Sequence, residues 1–304
     1  MDRISLLKFL VVIICLTHCS TSQPVYPHGK LVNVTIDTPD GPRSFVVYNP
    51  TSRINATDLA PVAILLHPLG GDCSTFISQY QFLAAAEKYA VILQAPCGTK
   101  GELGVGWNAG TCCGFPGTAP NDYEFIRRAV FNLSGAIPVE PKRIGSMGIG
   151  NGAFLSQTLS CKLPALISLS ATVGGVVELR PGNRGGLQEC DAHVGTFVQR
   201  SSILLINGDN DQDVPWNGFE LMGFPSIPEN VAAWANRSLC TAAPQHNWLS
   251  QNFSSITYSN CDAPSGGVTV QQLRWWGGDH QWPSASDGFD ATDYFFSFLS
   301  KLAL

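Results

Sequence analysis

The stretch RIGSMGIGNGAF, Arg143 to Phe154, decides the fold. An apolar run meets a cluster of glycines spaced Gly148-Ile149-Gly150-Asn151-Gly152. This is the spacing of a sharp strand-to-helix turn, in which glycines two before and two after a central residue let strand and helix pack closely. In the G-x-S-x-G form of the turn the central residue is a serine nucleophile. Here it is Gly150, with no side chain at all. Ser146 falls inside the expected strand, and Ser156 lies roughly 9 Å further along the helix axis, so neither reaches the tip. The stretch predicts a strand over Arg143–Ile149, a helix over Asn151–Leu163, and a turn shaped for a nucleophile that lacks the attacking atom.

Outward from the turn, strands and helices alternate. Val32–Ile36 and Ser44–Tyr48 read as a leading antiparallel pair, and Val62–Leu66 as a strand buried on both faces. A helix is expected over Phe76–Tyr89, a strand over Ala90–Gln94, and a Gly- and Cys-rich loop from Gly98 to Pro120. Asn121 caps a helix running to about Leu133. Ile167–Thr172, Ser202–Asn207 and Val268–Trp275 are further strands, with helices over Glu229–Leu239 and Phe289–Leu302. Alternation of this kind predicts an α/β fold with a mostly parallel sheet covered by helices on both faces, and chemistry at the carboxyl ends of the strands.

The 304 residues carry a net charge of -5, and 13% are charged. No basic patch is present, which argues against nucleic acid. Residues 1–22 read as a secretory signal peptide, with Arg3 and Lys8 before an apolar Phe9–Leu16; 23–304 read as a single domain. No later stretch is long enough for a membrane span. Eight of the ten cysteines lie beyond the leader, an even number that predicts disulfides in a secreted chain. Sequons at Asn33, Asn55, Asn132, Asn236 and Asn252 agree with a secreted glycoprotein.

Three strand ends carry the candidate chemistry. Leu65–Phe76 (LLHPLGGDCSTF) runs a buried strand into Gly70-Gly71, whose backbone N–H groups are placed to meet an oxyanion. Leu204–Trp216 (LLINGDNDQDVPW) ends a strand in acidic residues, and Arg274–Pro283 (RWWGGDHQWP) ends one in Gly277-Gly278, Asp279 and His280. The order elbow, acid, histidine is that of the α/β-hydrolases. Asp209–Glu220 also has the acid spacing of a calcium loop. Val214 stands where that loop needs glycine, however, and a strand precedes it, so no metal is expected. Zinc spacing is absent as well.

Taken together the motifs resemble the secreted esterase group that holds polyhydroxybutyrate depolymerases, feruloyl esterases and acetylxylan esterases (carbohydrate esterase family one). They are Leu66-His67-Pro68-Leu69-Gly70-Gly71, Trp107-Asn108 before Cys112-Cys113, the elbow with Cys161 behind it, Asp211 before Val214-Pro215, and Gly277-Gly278-Asp279-His280-Gln281-Trp282-Pro283. The resemblance implies an α/β-hydrolase fold without a cofactor, Asp211 as triad acid and His280 as triad base. It places Gly70, Gly71, Asn151, Trp107 and Trp282 around the oxyanion and binding site. It also implies disulfides Cys240–Cys261 and Cys161–Cys190, leaving Cys73, Cys97, Cys112 and Cys113 near the site. Gly150 departs from the pattern at the nucleophile, and Asn207 stands where the group often has histidine.

Two functions follow. One is a pseudoenzyme that binds an ester-bearing polysaccharide or polyester, or an extracellular protein, as neuroligin-like adhesion proteins do with glycine at the same turn. The other is a weak carboxylic-ester hydrolase acting on feruloyl, acetyl or hydroxyalkanoate esters.

Overall fold

The computed structural model describes residues 25–109, 120–177, 191, 201–261 and 267–302. The leader expected over 1–22, together with Cys112, Cys113 and Cys190, lies outside them.

The continuous apolar runs fix the centre of the sheet. Strand β3 (Ala60–Leu66) is buried at every residue, as are the last six residues of β7 (Val139–Ile149) and all of β8 (Leu169–Val173) and β9 (Ser202–Gly208). Such strands have no wet face, so helices must cover both sides. With β4 (Ile92–Pro96) and β12 (Val268–Trp275) they form six parallel strands in the order β4-β3-β7-β8-β9-β12. Antiparallel ribbons extend both flanks. β1 (Leu31–Thr38) and β2 (Gly41–Tyr48) lie beyond β4; β11 (Phe253–Cys261) and β10 (Gln245–Trp248) lie beyond β12, giving ten strands in all. A small hairpin, β5 (Thr99–Gly101) with β6 (Gly104–Gly106), stands apart within the expected Gly- and Cys-rich loop.

The α-helices that lie wholly within the described residues are α1 (Cys73–Phe76), α2 (Phe82–Tyr89), α3 (Asp122–Ala136), α4 (Asn151–Lys162), α5 (Ile227–Arg237) and α6 (Ala291–Lys301). One core packs Phe125, Phe154 and Trp234, from α3, α4 and α5, against one face of the sheet; the other packs Phe82 and Phe296, from α2 and α6, against the opposite face. The mostly parallel sheet with helices on both faces is therefore the observed architecture, that of the α/β-hydrolases.

One expectation needs correcting, and one ribbon was not expected. The helix expected over Phe76–Tyr89 is split, because Tyr80 and Gln81 are left-handed (φ 48° and 59°) and interrupt it between α1 and α2. The β10–β11 ribbon follows α5, and its outer strand β10 carries no strand pattern, since all four of its residues are exposed. Disulfides join Cys240 to Cys261 and Cys73 to Cys97. Cys161 is also disulfide-bonded, and Cys190, its expected partner, is among the residues not described.

Candidate active site

Gly150 sits between β7 and α4 with φ 53° and ψ -123°, a conformation that side chains rarely adopt. The flanking glycines are needed for contact. A Cβ on Gly152 would lie 2.1 Å from the Leu66 carbonyl oxygen, and one on Gly148 would lie 2.5 Å from the Gly152 backbone. The strand-to-helix turn is thus intact in backbone and packing, and only its central side chain is missing. Nearby serines do not replace it. Ser146 and Ser156 share a hydrogen bond of 2.7 Å and Ser156 bonds Ser170 at 2.8 Å, all three buried between sheet and α4.

The loops after β9 and β12 bring an acid and a histidine to this turn. Their close approach depends on Gly208, where a Cβ would meet the Gly278 carbonyl oxygen at 2.2 Å; Asn210 N–H donates to that same oxygen. Of the three acids in reach by sequence, Asp211 is the one on the histidine. His280 Nδ1 lies 2.8 Å from Asp211 Oδ2. Asp211 Oδ1 accepts from Asp213 N–H (2.9 Å) and Val214 N–H (2.8 Å), and the carboxylate is almost wholly buried. Asp209 instead accepts from Arg274 and from Gly277 N–H.

A carboxylate can only accept, so Nδ1 carries the proton in the neutral imidazole and Nε2 presents its lone pair. That lone pair faces the elbow. A Cβ built on Gly150 lies 2.8 Å from His280 Nε2, with Pro68 Cβ next at 3.8 Å beyond the ring atoms. The imidazole therefore reaches into space that a serine side chain would share. Burial works against a charged ring, but the hydrogen bond and charge of Asp211, with Asp213 and Asp279 nearby, outweigh it and raise the His280 pKa above its ordinary value. Gly174, left-handed at the end of β8, lies flat behind the ring: a Cβ there would be 2.7 Å from Cε1. No sequence motif marks Gly174. Its only signal is a glycine pair after a buried strand.

The third wall is the loop after β3, and here the sequence assignments shift. Gly70 N–H donates to the Val105 carbonyl (2.7 Å) and Gly71 N–H to the Pro68 carbonyl (2.9 Å), so both amides are spent on closing the loop. The backbone N–H groups of Leu69 and Asn151, next to the elbow, have no acceptor among the described residues. Asn151 is the first residue of α4, where orphan amides and the helix dipole favour negative charge. Its side chain is occupied elsewhere, accepting from Trp107 N–H at 2.7 Å and donating to the Trp107 carbonyl at 3.1 Å.

Trp107 is fully buried, with its indole N–H on the His67 carbonyl, so it ties loops together and offers no face to a ligand. Trp282 is likewise a core residue. Its indole N–H donates to Thr292, and its ring stacks on Tyr80 at 5.3 Å. His67 stiffens the same loop: it donates from Nδ1 to the Pro68 carbonyl and accepts Gly98 N–H at Nε2. Burial lowers its pKa and keeps it neutral. Asn207 is buried behind the acid loop, and neither polar atom of its side chain has a partner among the described residues.

A strained strand-to-helix turn, an Asp–His pair aimed at it and unspent amides beside it define the class: this chain has an esterase-type α/β-hydrolase scaffold. Its particular relatives agree. Feruloyl esterase B of Piromyces equi is 27% identical over 238 residues, 78% of this chain, and the chain spans 42% of that protein's length. Among solved structures, acetyl xylan esterase from Aspergillus awamori aligns over 88% of this chain and 100% of its own, with a TM-score of 0.63 and 15% identity. The feruloyl esterase module from Clostridium thermocellum, complexed with sinapinate, aligns over 91% and 89%, with a TM-score of 0.55 and 14% identity. No protein-family model matches the chain.

Proposed function

We propose that this chain is a secreted, ester-binding member of the feruloyl and acetylxylan esterase-like proteins whose acyl-transfer nucleophile is absent. Its ligand is an ester of a polysaccharide or polyester, of the feruloyl, acetyl or hydroxyalkanoate kind. The observation that carries this reading is the empty tip of the elbow: His280 Nε2 lies 2.8 Å from where a Gly150 Cβ would be, with Asp211 behind it and no oxygen between. Acyl transfer on this scaffold needs an oxygen that the histidine deprotonates and that then attacks the carbonyl. The remaining parts serve binding. The ester carbonyl accepts from the Asn151 and Leu69 N–H groups, the donors this reading substitutes for Gly70 and Gly71.

A second reading is residual hydrolysis by a water that His280 activates. The free lone pair at Nε2 favours it, and binding plus oxyanion stabilisation alone support about 10³–10⁴-fold acceleration over water. Turnover of an activated aryl ester separates the two. The binding reading predicts saturable ester binding with turnover no higher in wild type than in His280→Ala; robust wild-type turnover abolished by His280→Ala would establish the hydrolase.

A further inference from the structure

The far flank of the sheet carries a second candidate site. β10, β11 and β12 form one wall of a cleft of about 340 Å³, and Trp216 closes it from the loop after β9. This falls within the usual size of small-ligand clefts, about 300–1,000 Å³. Its aromatic residues form a continuous stack. The Arg274 guanidinium lies 4.4 Å from the Trp216 ring centre and 3.6 Å from that of Trp276; Trp276 in turn stacks on Trp248 at 5.7 Å and 24°. Trp248, at the outer end, is 66% exposed, and Trp276 is 40% exposed. Indoles left this open on an edge ribbon are costly unless something covers them.

A second observation points to a ligand. Gln272 lines the cleft at 2% exposure, and its Nε2 has no partner among the described residues. A buried amide donor left unpaired costs free energy that a hydrogen-bond acceptor entering the cleft recovers. Charge narrows the choice. Arg274, the one cation in the lining with a fixed charge, is neutralised by Asp209, with Nη2 at 2.9 Å and Nε at 3.2 Å. The cleft therefore does not select an anion.

We propose that this cleft is a carbohydrate-binding site for a neutral pyranose chain. The axial C–H groups of a pyranose form an apolar face whose positively polarised hydrogens suit the negative face of an indole. Its equatorial hydroxyls, projecting from the rim, meet Gln272, Asn247 and His246. A flat aryl group covers the indoles as well but offers no acceptor to the buried Gln272 amide. The site is tied to the candidate active site through Asp209, which holds Arg274 with one carboxylate oxygen and Gly277 N–H, at the start of the His280 loop, with the other. The proposal does not rest on ester binding, because it needs neither His280 nor an ester.

The test is co-sedimentation of the full-length protein with insoluble, ester-free xylan, mannan and cellulose. Wild type is expected to bind at least one of them and Trp248→Ala to bind it about tenfold more weakly, the scale of one lost aromatic contact. Trp248 is exposed, so this variant keeps the fold. Gln272→Leu should weaken binding as well, and His280→Ala should leave it unchanged. Asn252→Gln, which removes the neighbouring sequon, should bind as wild type does. Failure of both wild type and Asn252→Gln to bind any of the three polymers overturns the proposal, and so does binding that is indifferent to Trp248. A Trp248→Ala change in oligomeric state without polysaccharide binding would instead mark the cleft as a protein-docking face.

Discussion

One absent side chain at position 150, a hydroxymethyl group with its attacking oxygen, separates the site from a complete triad, and its neighbours record the absence. His280 Nε2 stands 2.8 Å from the missing atom, closer than a side chain there would tolerate, yet only the ring tip is that close. A small tilt of the imidazole makes room for serine, and the left-handed φ of 53° costs about 1–3 kcal/mol, which the packed turn absorbs, so a Gly150→Ser protein should fold. In that background Asp211→Asn is expected to reduce turnover about 10³–10⁴-fold, because an amide facing Nδ1 favours the wrong tautomer; a loss below tenfold would show that Asp211 does not orient the ring. Gly174→Ala should also depress turnover, since its Cβ would press on Cε1 at 2.7 Å and on Nδ1 at 2.8 Å.

The pH profile of Gly150→Ser follows from the raised pKa of His280. The ring acts as a base only when neutral, and Asp211 holds the charged form to higher pH. Turnover is therefore lost as pH falls through the folded pKa, and its midpoint should lie above the ordinary imidazole value of about 6.5. A midpoint below that value would mean that burial, not Asp211, dominates.

Among the elements, Glu87 on α2 shows how a helix is fixed to the sheet. Its carboxylate accepts from Tyr48 Oη at 2.6 Å, Thr51 N–H and Oγ1 at 2.8 Å, and Ser52 N–H at 2.9 Å. Partial burial raises its pKa, but these donors outweigh it and pull the value down to about 2. A depressed folded pKa gives stability that is present above the unfolded value of about 4.3 and lost as pH falls towards 2. Glu87→Gln should destabilise by about 1 kcal/mol near pH 6, a modest figure because the group is partly solvated. Chemical denaturation should show the gap closing between pH 4 and 2, and a pH-independent gap would contradict the assignment.

The same elements show what the sequence makes legible. Continuous apolar runs mark β3 and β9 because strands buried on both faces cannot carry polar residues cheaply. Asn121 marks the start of α3 because its side chain does accept Glu124 N–H. The break before α2 is hidden, since Tyr80 and Gln81 take left-handed backbone without a glycine to announce it. The β10 strand is hidden because an exposed edge needs no apolar alternation.

Over the whole molecule, the strand ends bring Gly150, Asp211 and His280 to one end of the sheet; the order elbow, acid, histidine is readable from the chain, and the choice of Asp211 among its acidic neighbours follows from the resemblance. The allocation of donors and aromatic faces is not. Gly70 and Gly71 have the composition of an anion loop, yet which amides stay free depends on where Val105 and Pro68 place their carbonyls. Trp107 and Trp282 look like binding residues in a motif, but the packing of both cores buries them and leaves Trp248 and Trp276 outside. Described helices include none long and apolar enough to cross a membrane.

The central claim is that the scaffold keeps a working Asp–His pair around an empty nucleophile position. The most direct measurement is turnover of an activated aryl ester by wild type and Gly150→Ser, assayed side by side with Gly150→Ser/His280→Ala. The account predicts a gain on the order of 10²-fold or more for Gly150→Ser, lost again when His280 is removed. A folded Gly150→Ser protein with no gain over wild type would contradict it.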